Sequence, residues 1–158
     1  IKAFFSGRCQ AYTTDASALA FIRSKEAPVP DDYLVLPEII SKEPLGPAVR
    51  RGDDEWFAIV KWTLNALIEA EELGITQARV DSLKASPDPA VQRFLGVGED
   101  LGKSLGLDRE WAARAVKAVG NYGEIFNRNV GADSPLKLPR GLNAQWNKGG
   151  ILYAQPLR

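Results

Sequence analysis

The sequence predicts an α/β chain that is rich in helices and has few strands. Two short runs carry strand signals: residues 10–13 (QAYT) and the continuous apolar run of residues 33–36 (YLVL), which is typical of a buried parallel strand. The longest amphipathic pattern, between Asp53 and Gly74, has helical periodicity. Together these patterns indicate strands alternating with helices near the start, and helices thereafter.

Composition excludes several classes of function. The 158 residues suit one domain or one and a half small ones, and hydrophobic residues make up 45%. Lys+Arg and Asp+Glu are both 20, which argues against nucleic acid or an anionic membrane as the main partner. No apolar run approaches the roughly 20 residues of a membrane span. With no histidine and one cysteine, a Cys/His zinc site and a Ser-His-Asp or Cys-His pair are excluded, so we expect no metal, cofactor or catalytic residue.

The first forty residues read as helix end, strand, helix and strand. Gly7 can close a helix that begins before Ile1, and the strand of residues 10–13 follows. Thr14 or Asp15 can cap a helix that runs to about residue 26, where Pro28 and Pro30 stop it. The apolar run of residues 33–36 comes next.

An extended crossover leads to the strongest helix signal. Residues 41–51 contain two prolines and a glycine and cannot be helical. Asp53 then caps a helix that Gly74 ends. Its apolar stripe is expected to be core: Trp56, Ile59, Val60, Leu64, Leu67 and Ile68.

Shorter helices and an irregular tail complete the chain. Helices are predicted over residues 76–85, from Asp88 with Pro89 at its first position, and over residues 109–129 after Asp108. The last helix is expected to break at one of two glycines, Gly120 or Gly123. From residue 131 the chain is irregular, with a short strand candidate at residues 151–153.

The stretch of residues 7–15 (GRCQAYTTD) is the candidate binding site. It delivers a carboxylate, Asp15, to the carboxyl end of a strand, where open α/β sheets bind ligands. A carboxylate there can hold an ammonium through a charge-assisted hydrogen bond worth roughly 1.5–3 kcal/mol. The hydroxyl of Thr14 can add a further contact. Asp15 can equally be only a helix cap, and the sequence leaves both roles open.

That stretch belongs to a wider resemblance. Together with residues 41–53 (SKEPLGPAVRRGD), 121–126 (NYGEIF) and 138–143 (LPRGLN), it resembles the polar amino-acid-binding proteins of ABC importers, and most closely their general L-amino-acid branch. The resemblance implies the C-terminal half of a two-lobe, type II periplasmic-binding-protein fold. On that basis the chain divides as follows: 1–40, the end of lobe two; 41–52, the hinge and return crossover; 53–130, lobe-one helices with a helical extension; 131–158, an irregular tail.

The resemblance also implies a function. The chain is expected to belong to a periplasmic solute-binding subunit that binds L-amino acids between two lobes, delivers them to permease subunits and is not an enzyme. Asp15 is expected to pair with the α-ammonium of the ligand, with Thr14 as a secondary candidate. The start of the chain (IKAFF) reads as a cut end, with a signal peptide expected in the precursor.

Two features depart from the family pattern. Gln10 stands where family members often have an acidic residue. No residue matches the arginine that binds the ligand's α-carboxylate, so we expect the arginines here, Arg8, Arg23, Arg50 and Arg51, to be solvated charges or crossover contacts. The isolated half is therefore not expected to bind ligand.

Three alternatives stay open at this point. The half can pair with a separate N-terminal half or with a second copy of itself, as a structural or interaction domain. An enzyme on the same fold would need a general acid, for which Glu38 and Glu43 are the candidates. The resemblance implies that Cys9 pairs with a cysteine of the other half, and the alternative is a small buried residue with a free thiol.

Overall fold

The computed structural model describes residues 1–42 and 44–157. Within them lie six α-helices: α1 Lys2–Phe5, α2 Ala16–Lys25, α3 Asp54–Glu72, α4 Pro89–Phe94, α5 Trp111–Val119 and α6 Tyr122–Asn129. Short 3₁₀ helices cover Pro30–Asp32, Ser82–Ala85, Lys103–Leu105, Gly141–Asn143 and Trp146–Lys148. The chain separates into two compact units, Ile1–Gly46 with Arg128–Pro139, and Pro47–Asn127 with Arg140–Arg158. Across the described residues, every helix is too short or too polar to cross a bilayer.

The predicted strands at residues 10–13 and 33–36 do not form. Both segments lie outside the helices, and the one β-pairing among the described residues is an isolated parallel bridge between Gln145 and Leu152. A strand exists only with a hydrogen-bonded neighbour, and neither segment has one among residues 1–42 and 44–157. The strand candidate at residues 151–153 reduces to that same bridge at Leu152, and the boundaries of the predicted tail stay a prediction.

Glycines end two helices as the sequence predicts. After α3, Gly74 adopts a φ of +66°. The N–H of Gly74 donates to the carbonyl of Glu71 at 3.2 Å, and the N–H of Ile75 donates to the carbonyl of Ala70 at 2.8 Å. This pair of bonds is the Schellman motif, which satisfies the last helical carbonyls. Gly7, with φ +74°, closes α1 in the same way.

The long helix α3 buries only its C-terminal half. Its N-cap is Asp53, whose carboxylate accepts a 2.9 Å bond from the N–H of Trp56. Trp56 is nevertheless 51% exposed, so the expectation that the whole stripe is core was wrong. The fully buried positions lie further along, at Ala66 and Ala70, with Ile68 beside them.

The core of the second unit forms where α3 packs against α5. The small Ala66 and Ala70 of α3 belong to the same buried cluster as two alanines of α5, Ala112 and Ala113. Larger side chains fill the space around this contact: Ile75, Val80, Val91, Phe94, Leu95, Trp111, Val116 and Leu157.

One helix prediction after Gly74 needs correction. Residues 77–81 form turns, and within the predicted helix of residues 76–85 only Ser82–Ala85 is helical, as a 3₁₀ segment. The break expected in the helix of residues 109–129 is confirmed at Gly120, whose φ of +82° and ψ of 176° end α5, whereas Gly123 lies inside α6. The capped helix after Asp88 is confirmed, because the Asp88 carboxylate accepts a 2.8 Å bond from the N–H of Ala90.

Side chains of α3 fasten the tail. The N–H of Gln155 donates to the amide oxygen of Asn65 at 2.8 Å, and the N–H of Leu157 donates to the carboxylate of Glu69 at 3.0 Å. Gly150 passes so near the chain that an added Cβ would lie 1.8 Å from the carbonyl oxygen of Ala144. The irregular tail is thus held by specific contacts.

Candidate ligand-binding site

An aromatic cluster positions the approach to the candidate site. The ring of Phe4 lies 5.5 Å from Phe5, 6.2 Å from Tyr12 and 5.5 Å from Tyr33. Phe5 and Tyr33 also meet edge to face, with ring centroids 5.1 Å apart. Such pairs add roughly 0.5–1.5 kcal/mol beyond area burial. They hold the segment that precedes Asp15 against α1.

Asp15 occupies the N-cap position of α2, but its side chain does not cap the helix. Its ψ of 145° keeps the residue outside the helix, and its side chain accepts no capping hydrogen bond. Asp53 and Asp88 both cap their helices through a carboxylate oxygen. The structure therefore removes one of the two roles that the sequence left open, because Asp15 is not a capping residue.

The Asp15 carboxylate is left available. The residue is half-buried, and its side chain has no hydrogen bond or ion pair within residues 1–42 and 44–157. It stands at the positive end of the α2 dipole, which favours a negative charge. Two unengaged carboxylate oxygens in this position can accept hydrogen bonds from a cation such as a primary ammonium.

Thr14 precedes Asp15 and is exposed. Its hydroxyl lies next in sequence to the carboxylate and is both a donor and an acceptor. The backbone thus presents the two predicted binding residues, Asp15 and Thr14, side by side at the start of α2.

Of the four arginines of the prediction, one has local partners and three are exposed. Arg23 donates its Nε to the carbonyl of Pro30 at 3.0 Å and lies 3.7 Å from Asp31. Arg8, Arg50 and Arg51 are exposed.

Of the two acidic residues considered for an enzyme, only one is described. Glu38 is exposed. Glu43 lies outside the described residues. Among the residues that are described, His, Cys, Asp and Glu form no group of three that could hold a metal ion.

Cys9 is exposed with a free thiol. The expectation of a small buried residue was therefore wrong, because the thiol faces solvent. The disulfide with another half of the protein stays a prediction.

A cavity in the second unit was missed from the sequence. It has a volume of about 180 Å³ and is lined by residues from distant parts of the chain: Trp62, Asp100, Leu101, Ser104, Leu105, Trp111 and Leu157. This volume lies below the roughly 300–1,000 Å³ of ordinary small-molecule sites. No sequence motif joins these positions, so only the packing of α3 and α5 could reveal it.

Comparison with known proteins gives the class. No family model matches the chain. It is 61% identical over 158 residues to the general L-amino acid-binding periplasmic protein AapJ of Rhizobium johnstonii, covering 99% of this chain and 46% of that protein. It is 52% identical to the glutamate/glutamine/aspartate/asparagine-binding protein BztA of Rhodobacter capsulatus, covering 98% and 46%. The chain thus spans about half the length of the curated relatives it matches.

A solved structure gives the same result for the fold. The chain superposes on an ABC transporter periplasmic binding protein from Brucella ovis that has glutathione bound. The TM-score is 0.92 and the identity 55%, covering 99% of this chain and 49% of that one. The fold is therefore that of one half of a periplasmic binding protein, helix-rich and almost without strands. The resemblance seen in the sequence is confirmed: the relatives are amino-acid-binding periplasmic proteins of ABC transporters, and the match is consistent with their C-terminal half.

Proposed function

We propose that the chain is part of the solute-binding subunit of an amino-acid ABC importer. It acts in the periplasm by binding L-amino acids and delivering them to permease subunits, and it catalyses no reaction. The relatives support this role, since AapJ is a general L-amino acid-binding protein and BztA binds glutamate, glutamine, aspartate and asparagine.

Asp15 is proposed to bind the α-ammonium of the ligand. The main support for this role is that the half-buried carboxylate of Asp15 lies at the start of α2 but makes no capping hydrogen bond to the helix. A ligand ammonium can form a charge-assisted hydrogen bond with this free carboxylate. Thr14 is proposed as a neighbouring hydroxyl contact.

The ligands named for the relatives share one chemical group. Glutamate, glutamine, aspartate and asparagine are named for BztA, and glutathione is bound in the Brucella ovis protein. Each carries a free α-ammonium next to an α-carboxylate, which glutathione keeps on its γ-glutamyl residue. An aspartate that binds the ammonium therefore suits all of them and does not select the side chain.

The ligand's α-carboxylate has no assigned partner among the described residues, because none of their arginines is matched to the one that binds it in the family. The relatives are about twice as long as the matched region. We therefore propose that ligand binds between this chain and the part of the binding protein that it does not match, and that this chain alone gives no heat on calorimetric titration with amino acids.

The test uses a hybrid in which this chain replaces the matching half of AapJ. Calorimetric titration with L-glutamate should show binding by the hybrid. Asp15→Asn should weaken it roughly 10- to 100-fold, because one charge-assisted hydrogen bond is lost.

Asp88→Asn in the same hybrid is the matched control, since Asp88 is an aspartate at a helix N-cap whose carboxylate does cap. Its affinity should equal that of the unsubstituted hybrid. Equal affinities for the Asp15→Asn variant and the unsubstituted hybrid would rule out the assignment. Turnover of arogenate or peptidoglycan would contradict the proposal that the chain is not an enzyme.

A further inference from the structure

The cavity of about 180 Å³ is built from distant parts of the second unit. Trp62 belongs to α3, Trp111 begins α5 and Leu157 lies in the tail. The remaining lining residues come from the segment between α4 and α5, and they are Asp100, Leu101, Ser104 and Leu105. All seven belong to the second unit, whereas Asp15 belongs to the first, so this cavity is separate from the proposed ammonium contact of the amino-acid ligand.

The wall of the cavity is apolar where it meets the core. Trp111 and Leu157 are only 6% and 7% exposed and belong to the buried cluster of the second unit. Trp62, Leu101 and Leu105 are half-buried and pack against that cluster. An alkyl group of a ligand that contacts these side chains is removed from water, which favours binding.

Two polar side chains of the lining are exposed to solvent, Asp100 and Ser104. Oδ1 of Asp100 accepts a 3.2 Å hydrogen bond from the N–H of Gly102, which holds the carboxylate in place. Among residues 1–42 and 44–157, neither Oδ2 of Asp100 nor the hydroxyl of Ser104 has a hydrogen bond or an ion pair. Both groups can therefore accept hydrogen bonds from a ligand.

The lining favours a positively charged ligand. Asp100 is the one ionisable residue among its seven members. The face of an indole ring attracts a cation that lies within about 6 Å of its centroid. Nζ of Lys61 lies 5.9 Å from the centroid of Trp62, but Lys61 is not a lining residue. A carboxylate and two indole rings, with no basic side chain in the lining, thus suit a cation and disfavour an anion.

We propose that this cavity binds a short alkylammonium ion. The ammonium group donates hydrogen bonds to Oδ2 of Asp100 and to the hydroxyl of Ser104, and the alkyl chain lies against Trp62 and Trp111. Because the cavity is smaller than the roughly 300–1,000 Å³ of ordinary small-molecule sites, the chain has only a few carbon atoms. A free amino acid fits less well, since its α-carboxylate finds no cation in the lining.

The experiment titrates this chain with n-butylammonium chloride, against sodium chloride at the same ionic strength, and follows tryptophan fluorescence and heat. We expect saturable binding with a dissociation constant of about 1 mM, which suits a ligand of so few atoms. Asp100→Asn should weaken binding about tenfold or more, because a charge-assisted hydrogen bond is lost. Asparagine keeps an acceptor oxygen for the N–H of Gly102.

Glu99→Gln is the matched control. Glu99 precedes Asp100, is exposed and is not a lining residue, so its substitution removes the same charge from the same segment. The affinity of this variant for n-butylammonium should stay within about threefold of the parent, because only a screened, longer-range attraction is lost.

Two related ligands separate the charge of the ligand from its chain. 1-Butanol has the same chain without the charge and should bind the parent roughly tenfold more weakly than n-butylammonium. Asp100→Asn should remove most of that difference. L-Norvaline is n-butylammonium with a carboxylate added beside the ammonium group. It should also bind roughly tenfold more weakly, because that carboxylate would lose water without gaining a partner.

A change in the wall tests the role of the indole ring. Trp62→Leu keeps an apolar surface but removes the aromatic face. This variant should bind n-butylammonium about threefold more weakly and 1-butanol nearly as well as the parent does. Circular dichroism shows whether each variant retains its helices.

No saturable binding of n-butylammonium to the folded chain would overturn the proposal. So would equal losses of affinity in Asp100→Asn and Glu99→Gln, or L-norvaline binding as tightly as n-butylammonium. Asp15→Asn should leave this affinity unchanged, and a loss in that variant would place the ion at the first unit instead. The titration needs no hybrid with AapJ, so this proposal and the proposed amino-acid site can fail separately.

Discussion

Arg140 and Glu71 form a bidentate ion pair across 69 positions of sequence. Nη1 of Arg140 lies 3.0 Å from Oε1 of Glu71, and Nη2 lies 3.0 Å from Oε2. The side chains are only 21% and 14% exposed. The guanidinium also lies 5.4 Å from the ring of Tyr122 and 5.0 Å from that of Phe126. One side chain therefore joins the start of the tail to α3 and α6.

Removing this guanidinium should destabilise the second unit markedly. Arg140→Ala leaves a largely buried carboxylate without its partner, and we expect a loss of about 3 kcal/mol in the free energy of unfolding. Arg140→Lys should recover only part of that loss, because an ammonium cannot form the two parallel bonds or stack on the rings. Urea unfolding measures both, and equal stability of Arg140→Ala and the unsubstituted chain would contradict the prediction.

Gly102 should not tolerate a methyl group. A Cβ there would lie 2.2 Å from the carbonyl oxygen of Asp108, so the backbone would have to move. Gly102→Ala is expected to cost about 2 kcal/mol or more of stability by overpacking. Gly98→Ala is the matched control, since nothing lies within 4 Å of its Cβ position. A thermal melt should show the first variant lowered and the second equal to or above the parent.

Local signals in the sequence predicted the helices that are held by local contacts. Asp53 and Asp88 were recognised as caps because an N-cap needs only the next few residues. The sequence limited the position of the break between α5 and α6 to two glycines. That the break falls at Gly120 and not at Gly123 depends on tertiary packing. A Cβ at Gly123 would lie 2.8 Å from the Glu71 carboxyl carbon, a contact that no local pattern shows.

Features that depend on distant partners could not be predicted in the same way. Periodicity showed which face of α3 is apolar, but not that its N-terminal half, including Trp56, would lack cover. Residues 33–36 have the composition of a strand, yet a strand needs a hydrogen-bonded neighbour, and none lies among the described residues. The sequence predicted that Asp15 lies at the start of α2. It could not predict that the side chain makes no capping hydrogen bond, because this depends on the side-chain conformation in the folded protein. The lobe and hinge boundaries stay a prediction.

The ion pair between Asp81 and Lys117 should make stability depend on acidic pH. Their side chains lie 2.8 Å apart, and the hydrogen bond from Lys117 lowers the pKa of the Asp81 carboxyl below its ordinary 3.8. A carboxyl whose pKa is lower in the folded state than in the unfolded state stabilises the fold at pH values above its unfolded-state pKa. That stabilisation is lost as the pH falls through its folded-state pKa. Asp81→Asn should therefore unfold at lower urea than the parent at neutral pH, with the difference shrinking below pH 3.8. Lys117→Met should reproduce the loss, and a difference that does not vary with pH would contradict the prediction.

Cys9 should link two copies of the chain under oxidising conditions. Its thiol is exposed and free, and within the chain there is no second cysteine to compete. Without reductant, a covalent dimer should appear on non-reducing electrophoresis and disappear with dithiothreitol. Cys9→Ser should abolish it. A covalent dimer that persists in Cys9→Ser would contradict the prediction.

Asp15 and Asp53 occupy the same position at two helices, and their substitution should separate capping from binding. The carboxylate of Asp53 accepts the N–H of Trp56 at 2.9 Å, so Asp53→Ala should cost about 1 kcal/mol of stability. Asp53→Asn should cost little, because asparagine also caps. Asp15 makes no such bond, so Asp15→Ala should leave stability nearly unchanged or raise it. Chemical unfolding of the three variants checks these values. If Asp15→Ala lost as much stability as Asp53→Ala, the Asp15 carboxylate would be a helix cap. The main reason for assigning it to the ligand would then be removed.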